Sequence, residues 1–133
     1  MSLTVTPELV EAAGEGRMTD EDFVACVRTS LPYAYRLVEE LVTALPDAGP
    51  AGRDFADNQV PPPDEAARGQ LLRAMASTSI RSALERHFGV ALAFQNCHRV
   101  AAFAPEAVGR AQYQAFVSPR AQVLNQQPEF VDC

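Results

Sequence analysis

Apolar residues recur at helical spacing through the first third of the chain. The segment Thr6-Pro7-Glu8 combines a hydroxyl N-cap, a proline at the first helical position and an acid in the first turn, which predicts a short helix. Thr19 and Asp22, three residues apart, are typical of a capping box and predict a second helix. Pro32 lacks a backbone donor, so this helix should break or kink just before it and resume over residues 33–45.

The longest apolar stripe predicts one helix of about 25 residues over Asp64–Phe88. Pro63 and Asp64 begin this helix, and Gly89 is placed to cap its C-terminus. Its apolar positions are Leu71, Leu72, Met75, Ile80, Leu84 and Phe88. In a short chain, such a helix is either the central packing element or half of a dimer interface.

Prolines and glycines interrupt residues 46–63, so regular structure is not expected there. A loop of this length in a small domain is usually functional or disordered. Within it, Asp57, Asn58 and Gln59 place hydrogen-bond donors and acceptors side by side. We interpret the segment either as a covering loop that satisfies helix ends or as a binding loop.

Val90–Phe103 is apolar at both ends and polar in the middle. Val90, Leu92 and Phe94 alternate with other residues, a period of two that favours a strand. The two apolar arms predict a β-hairpin with Gln95–Arg99 as its bend. A third buried helix is the alternative, because alanine is frequent in this stretch.

Two more helices are predicted downstream. Pro105-Glu106 should open one that runs to about Val117, and Ser118-Pro119 should open a last one that runs to Gln126. Residues 127–133 should fray unless Phe130 docks. The fold class is therefore mainly α, a single small helical domain over residues 1–133. It has about five helices, and either a short β-hairpin or a helix near residues 90–103.

Charge and composition exclude several functions. All 11 basic side chains are arginine, so Schiff-base chemistry and lysine-dependent phosphate loops are excluded. The net charge of -6 argues against binding to nucleic acid or to anionic membranes. Residues 1–66 hold 13 acidic and 4 basic side chains, whereas residues 67–133 hold 4 acidic and 7 basic ones. The oppositely charged halves can attract each other within one chain or across the interface of a dimer. We expect a homodimer.

The sequence also indicates a compartment and a cofactor state. No apolar run is long enough to span a membrane, and the N-terminus lacks the features of a secretory signal, so a cytoplasmic protein is expected. Cys26, Cys97 and Cys133 are too few and too widely spaced for a disulfide framework. The chain lacks paired metal-ligand spacing, and neither a metal nor another cofactor is expected.

The polar cluster Gln95–Arg99 carries the candidate chemistry, because burying polar groups is costly unless each finds a partner. His98 is the candidate general acid or base, with Asp57 or Glu65 as its orienting carboxylate. Cys97 is next to His98 in sequence, and neighbouring side chains diverge, so a direct pair is not expected. The candidate binding residues are Asn58, Gln59, Gln95, Asn96, Cys97, Arg99 and Arg68.

Four segments resemble a family of short, uncharacterised actinobacterial proteins of the streptomycete type. They are Cys26–Pro32, Asp57–Glu65 with the sequence DNQVPPPDE, Ala67–Arg73, and His87–Val100, which ends in QNCHRV. The resemblance spans most of the chain and implies a bacterial cytoplasmic setting, but no activity. In size and type the chain is also similar to small cofactor-free accessory proteins of actinomycete peptide-antibiotic pathways, although no motif carries this second likeness.

Three functions fit these observations. The first is a small binding or accessory protein whose surface for a peptide or small-molecule ligand combines Asp57–Gln59 with Gln95–Arg99. The second is a cofactor-free enzyme that acts on a peptide or small metabolite through His98, such as an accessory enzyme of peptide natural-product maturation. The third is a structural homo-oligomer in which the polar cluster is a buried network. A shared site requires the two segments to lie close together and to face a cavity.

Overall fold

Seven helices and one small sheet make up the part of the chain described by the computed structural model, which covers residues 2–48, 54–95 and 98–124. The mainly α prediction is therefore confirmed. The elements are α1 (Pro7–Gly14), α2 (Asp20–Ser30), α3 (Pro32–Ala48), β1 (Phe55–Asp57), α4 (Glu65–Ala76), α5 (Thr78–Phe88), β2 (Ala91–Gln95), β3 (Arg99–Phe103), α6 (Ala111–Phe116) and α7 (Pro119–Leu124), with a 3-10 turn at Pro105–Ala107.

The caps predicted for the first two helices are present. The Thr6 hydroxyl accepts from the backbone N–H of Leu9 at 3.1 Å. Thr19 and Asp22 form the reciprocal capping box, with bonds of 3.1 Å and 3.0 Å. These bonds satisfy backbone donors that have no partner inside the helix, and so they fix where each helix begins.

The helix start at Pro32 is capped from a distant part of the chain. The Gln70 side-chain oxygen, on α4, accepts from the backbone N–H groups of Tyr33 at 2.7 Å and Ala34 at 3.3 Å. This contact ties α4 to the beginning of α3. The break between α2 and α3 falls where Pro32 predicts it.

The predicted 25-residue helix is two helices, because Ser77 interrupts it. Ser77 is extended (φ -90°, ψ 115°) and its hydroxyl accepts from the N–H of Ile80 at 3.3 Å, as an N-cap for α5. Serine side chains compete with the helix for backbone groups, and a Ser-Thr-Ser run at residues 77–79 makes a new cap favourable. The apolar stripe continues across the break and conceals it from periodicity alone.

The three strands form an antiparallel sheet in the order β1-β3-β2. The hairpin alternative for residues 90–103 is confirmed, with Gln95 paired to Arg99 at its bend end. Strand β1 corrects the expectation that residues 46–63 lack regular structure, since Phe55–Asp57 pairs with β3. Helix α3 likewise extends to Ala48 rather than ending at Leu45. A three-residue strand has too few positions for its period to be read from sequence.

The sheet separates two apolar clusters. One face carries Leu92 and Val100 and packs against α2–α5 in the main core. The opposite face carries Ala101 and Phe103 and packs against the 3-10 turn and Phe116 of α6. Alternation along β3 therefore sends successive side chains into different cores.

The chain after β3 differs from its prediction. The segment from Pro105 forms a 3-10 turn and then the separate helix α6, rather than one helix to Val117. Helix α7 begins at Pro119 as predicted, and its hydroxyl cap is Ser118, which accepts from the N–H of Ala121 at 3.1 Å. The predicted frayed tail at 127–133 lies outside the described residues.

Several ion pairs of the described residues join arginines of the second half to acids of the first half within one chain. Among them are Arg68–Glu65, Arg86–Asp20, Arg99–Asp57 and Arg110–Asp54. The Arg86 pair is bidentate, with bonds of 2.7 Å and 3.0 Å, but both side chains are exposed, so it contributes little to stability. The charge asymmetry of the sequence is thus used, at least in part, inside the monomer.

We expect Gly89→Ala to lower the free energy of unfolding by about 1 kcal/mol, because Gly89 ends α5 in the left-handed region at φ 68°. Gly109→Ala is the matched control, since a Cβ there meets nothing within 4 Å and its φ is not left-handed. Urea denaturation of both variants measures the difference. Equal stability of the two variants would contradict this role for Gly89.

Candidate functional site

Sheet register brings the two polar segments named from sequence into contact. Asp57 lies opposite Ala101 across the β1–β3 ladder, and Arg99 lies two residues from Ala101 on the same face. Diagonal neighbours across an antiparallel pair are within reach of long side chains. The Arg99 guanidinium accordingly donates to the Asp57 carboxylate through both Nε, at 3.0 Å, and NH2.

The Asp57 carboxylate is completely buried, whereas the Arg99 side chain is 40% exposed. The second carboxylate oxygen of Asp57 accepts from the Gln59 amide at 2.7 Å. A buried carboxylate is costly unless it is paired and hydrogen-bonded, and here Arg99 and Gln59 supply those bonds. Arg99 is therefore fixed at one end by Asp57 and reaches solvent at the other.

Asn58 joins the end of β1 to the beginning of β3. Its side-chain oxygen accepts from the N–H of Val100 at 2.9 Å, and its amide nitrogen donates to the carbonyl of His98 at 2.7 Å. Its own backbone N–H donates to the carbonyl of Val100 at 3.3 Å. The side chain thus continues the ladder where the backbone pairing of β1 stops, which is a structural role.

Gln95 and Arg99 both contact Phe116 on α6. The Gln95 amide donates to the Phe116 carbonyl at 2.6 Å. The Arg99 guanidinium carbon lies 5.7 Å from the centre of the Phe116 ring, within range of a cation–π contact. These two contacts therefore hold α6 against the end of β2 and the beginning of β3.

A groove opens beside this contact, between the sheet and the last two helices. We call it the α6–α7 groove, and it has a volume of about 340 Å³. It is lined by Phe55, Gln95, Arg99, Gln112, Ala115, Phe116, Arg120, Ala121 and Leu124. The volume lies at the lower end of the range for small-molecule sites.

The remaining candidate residues lie away from the groove lining. His98 is buried, in the turn before β3. Glu65 and Arg68 are on the first turn of α4 and form a loose ion pair of 3.9 Å between an exposed carboxylate and a half-buried guanidinium. Asn58 and Gln59 follow Asp57, the partner of Arg99, but they do not line the groove. Asn96 and Cys97 lie outside the described residues.

Burial lowers the pKa of His98 below its usual value of 6.5, and the positive charge of Arg68 lowers it further. The imidazole is therefore neutral at neutral pH. A neighbouring carboxylate that oriented His98 would raise the pKa of the imidazole. The carboxylate of Asp57 is bonded to Arg99 and Gln59. Among the described residues, no group of three histidine, cysteine or acidic side chains is arranged to hold a metal ion.

Sequence analysis missed the groove residues from the C-terminal helices. Gln112, Phe116 and Arg120 are spaced four apart, which would place them on one face of a continuous helix. That spacing was the available signal. Their position over Phe55 and Arg99 depends on how α6 and α7 pack on the sheet, which no local pattern predicts.

A comparison with models of known protein families gives a match over the whole chain. A family model described as "NucS shadow ORF" matches residues 1–133. Neither the curated proteins nor the solved structures gave a significant match to the chain. No helix of the described segments is long and apolar enough to cross a membrane.

We expect the free energy of unfolding to fall as the pH drops below about 6.5, because the unfolded chain then binds a proton that buried His98 resists. Above that pH, His98 contributes no pH dependence to the free energy of unfolding. The loss is at most about 1.4 kcal/mol per pH unit for one proton. Urea denaturation between pH 5 and 8 measures it.

The histidine variants provide the control for this pH dependence. His98→Gln should remove the component of the slope between pH 5 and 6.5, whereas His87→Gln, on an exposed residue of α5, should retain it. A slope unchanged in His98→Gln would show that another group titrates.

Proposed function

Because the chain belongs to the NucS shadow ORF family, whose description names a reading frame and no activity, we propose a function from the site geometry: a small binding protein that holds its ligand in the α6–α7 groove. The polar wall of this site is Gln95 and Arg99, with Asp57 behind Arg99. We take the ligand to be a small molecule, because the groove volume lies within the range of small-molecule sites.

One observation carries this proposal. Arg99 pairs with the fully buried carboxylate of Asp57, lines the groove, and keeps 40% of its side chain exposed. A guanidinium that is already fixed by a buried carboxylate loses little further conformational entropy when it binds a ligand, so it is preorganised for recognition. Its ion pair uses Nε and NH2, and NH1 is not part of it.

The same polar cluster could serve stability alone, as in the structural homo-oligomer hypothesis. Asn58 fits that interpretation, because its amide is used on the backbone of β3. Arg99 fits it less well, because its side chain lines the groove and stays 40% exposed although its partner carboxylate is fully buried. We therefore assign stability to Asn58 and recognition to Arg99 and Gln95.

We expect Ala121→Trp to abolish ligand binding, because Ala121 lines the groove and an indole at that position fills it. Saturation-transfer NMR with a fragment library, recorded on wild type and variant, measures the effect. Fragments that bind the wild-type chain should lose their signal in the variant.

Gln122→Trp is the matched control, since Gln122 is exposed on the same helix and does not line the groove. Ala115→Trp fills the groove from α6 and tests it independently of α7. Circular dichroism confirms that each variant is folded. If every fragment that binds wild type also binds both groove-filling variants, the groove is not the site.

The enzyme hypothesis, with His98 as acid or base and Asp57 or Glu65 as its partner, stays a prediction. Burial of His98 argues against it, because a substrate would have to reach the imidazole of a residue that is only 6% exposed. For an enzyme, His98→Gln would abolish turnover without a change in melting temperature. A large loss of stability would instead indicate a structural histidine.

The expected lack of nucleic-acid binding also stays a prediction. The name of the family model begins with KH, which is also the name of a module that clamps nucleic-acid backbones in a Gly-x-x-Gly loop. The sequence has this pattern at residues 49–52, outside the described residues, and the described ranges contain none. The net charge of -6 favours the prediction, since it repels phosphates.

The biological setting is proposed on sequence grounds. We propose an actinobacterial, cytoplasmic protein, from the segments that resemble that family. We also propose a homodimer. Exposed apolar side chains such as Leu72, Val60 and Val123 are consistent with a contact between copies.

A further inference from the structure

Beyond the existence of a binding groove, its lining residues identify a class of ligand. Two arginines, Arg99 and Arg120, line the groove together with the amides of Gln95 and Gln112, and none of its described lining residues is acidic. Such a surface is unusual in a chain with a net charge of -6. It favours an anion over a neutral or cationic ligand.

The two arginines contribute differently. Asp57 neutralises the charge of Arg99, so Arg99 supplies directed N–H donors rather than net charge. Arg120 is exposed on α7, and the described ion pairs do not include it. It therefore supplies the net positive charge of the groove. A planar fork of donors beside a second guanidinium matches the two oxygens of a carboxylate.

The other wall of the groove is apolar. Phe55 and Phe116 lie with their ring centres 5.9 Å apart, and Leu124 is 51% exposed at the rim. Phe116 is already buried, so a ligand that used only the arginines would leave Leu124 and the exposed part of Phe55 in water. An apolar ring or branched chain attached to the carboxylate would cover these two side chains, and burial of apolar surface favours that arrangement.

We propose that the α6–α7 groove binds a small organic acid, with its carboxylate on Arg99 and Arg120 and a single aromatic or branched aliphatic group against Phe55 and Leu124. The inference rests on the proposed function, that the groove is a ligand site. The volume of about 340 Å³ accommodates one ring and a carboxylate.

Titrations with phenylacetate, phenylacetamide and acetate, followed by two-dimensional amide NMR of the full chain, test this ligand class. We expect phenylacetate to shift amides of α7 and β1 and to bind at least tenfold more tightly than phenylacetamide, which has the same ring without the charge. Acetate alone should bind at least tenfold more weakly than phenylacetate, because it leaves the apolar wall uncovered.

Variants locate the carboxylate. Arg120→Gln should weaken phenylacetate binding about fivefold or more and leave phenylacetamide binding unchanged. Arg110→Gln is the matched control, since Arg110 is an exposed arginine next to α6 that does not line the groove. Equal losses of phenylacetate affinity in both variants would indicate general charge attraction and would overturn the proposal.

Other outcomes separate this inference from the proposed function. If phenylacetamide binds in the groove as tightly as phenylacetate, the carboxylate inference fails and the groove remains a ligand site. If Gly-Gly-Phe binds there more than tenfold more tightly than phenylacetate, the ligand is a peptide terminus and the small-acid inference fails. If neither phenylacetate nor any library fragment shifts groove amides, both the inference and the proposed function fail.

Discussion

The ion pair between Asp57 and Arg99 is the interaction on which the arrangement of this sheet face depends. It joins β1 to β3 from a fully buried carboxylate, at the end of a strand of only three residues. Removing either charge leaves the other in a site that was built for both. The free energy required to bury Asp57 is therefore offset only while Arg99 stays in place.

That constraint has a consequence for recognition. Because Asp57 fixes the position of the Arg99 guanidinium, the outer part of Arg99 is presented to the α6–α7 groove in one orientation. Phe116 reinforces this position from the other side, through its ring contact with Arg99 and the bond from Gln95 to its carbonyl. Stability and binding thus use different parts of the same side chain.

Local chemistry in the sequence predicted part of this structure. The caps at Thr6 and Thr19 and the break at Pro32 were predicted because hydroxyls, acids and prolines act within one helical turn. The alternation of apolar residues over Val90–Phe94 favoured the hairpin, because a period of two is also a local property of the sequence. The break at Ser77 was missed because the apolar stripe runs through it. The sequence also grouped Asp57 with Arg99, but not with Phe116 or Arg120, since the packing of α6 and α7 on the sheet is a tertiary effect.

A double-mutant cycle on the ion pair tests its central role most directly, with Asp57→Asn, Arg99→Gln and the double variant compared by urea denaturation. Breaking the pair at Arg99 alone should lower the free energy of unfolding by about 3 kcal/mol, because the Asp57 charge is then buried without its guanidinium. The double variant should recover at least about 1.5 kcal/mol of the summed losses. Additivity of the two single effects within about 0.5 kcal/mol would contradict the account, because the two side chains would then act independently.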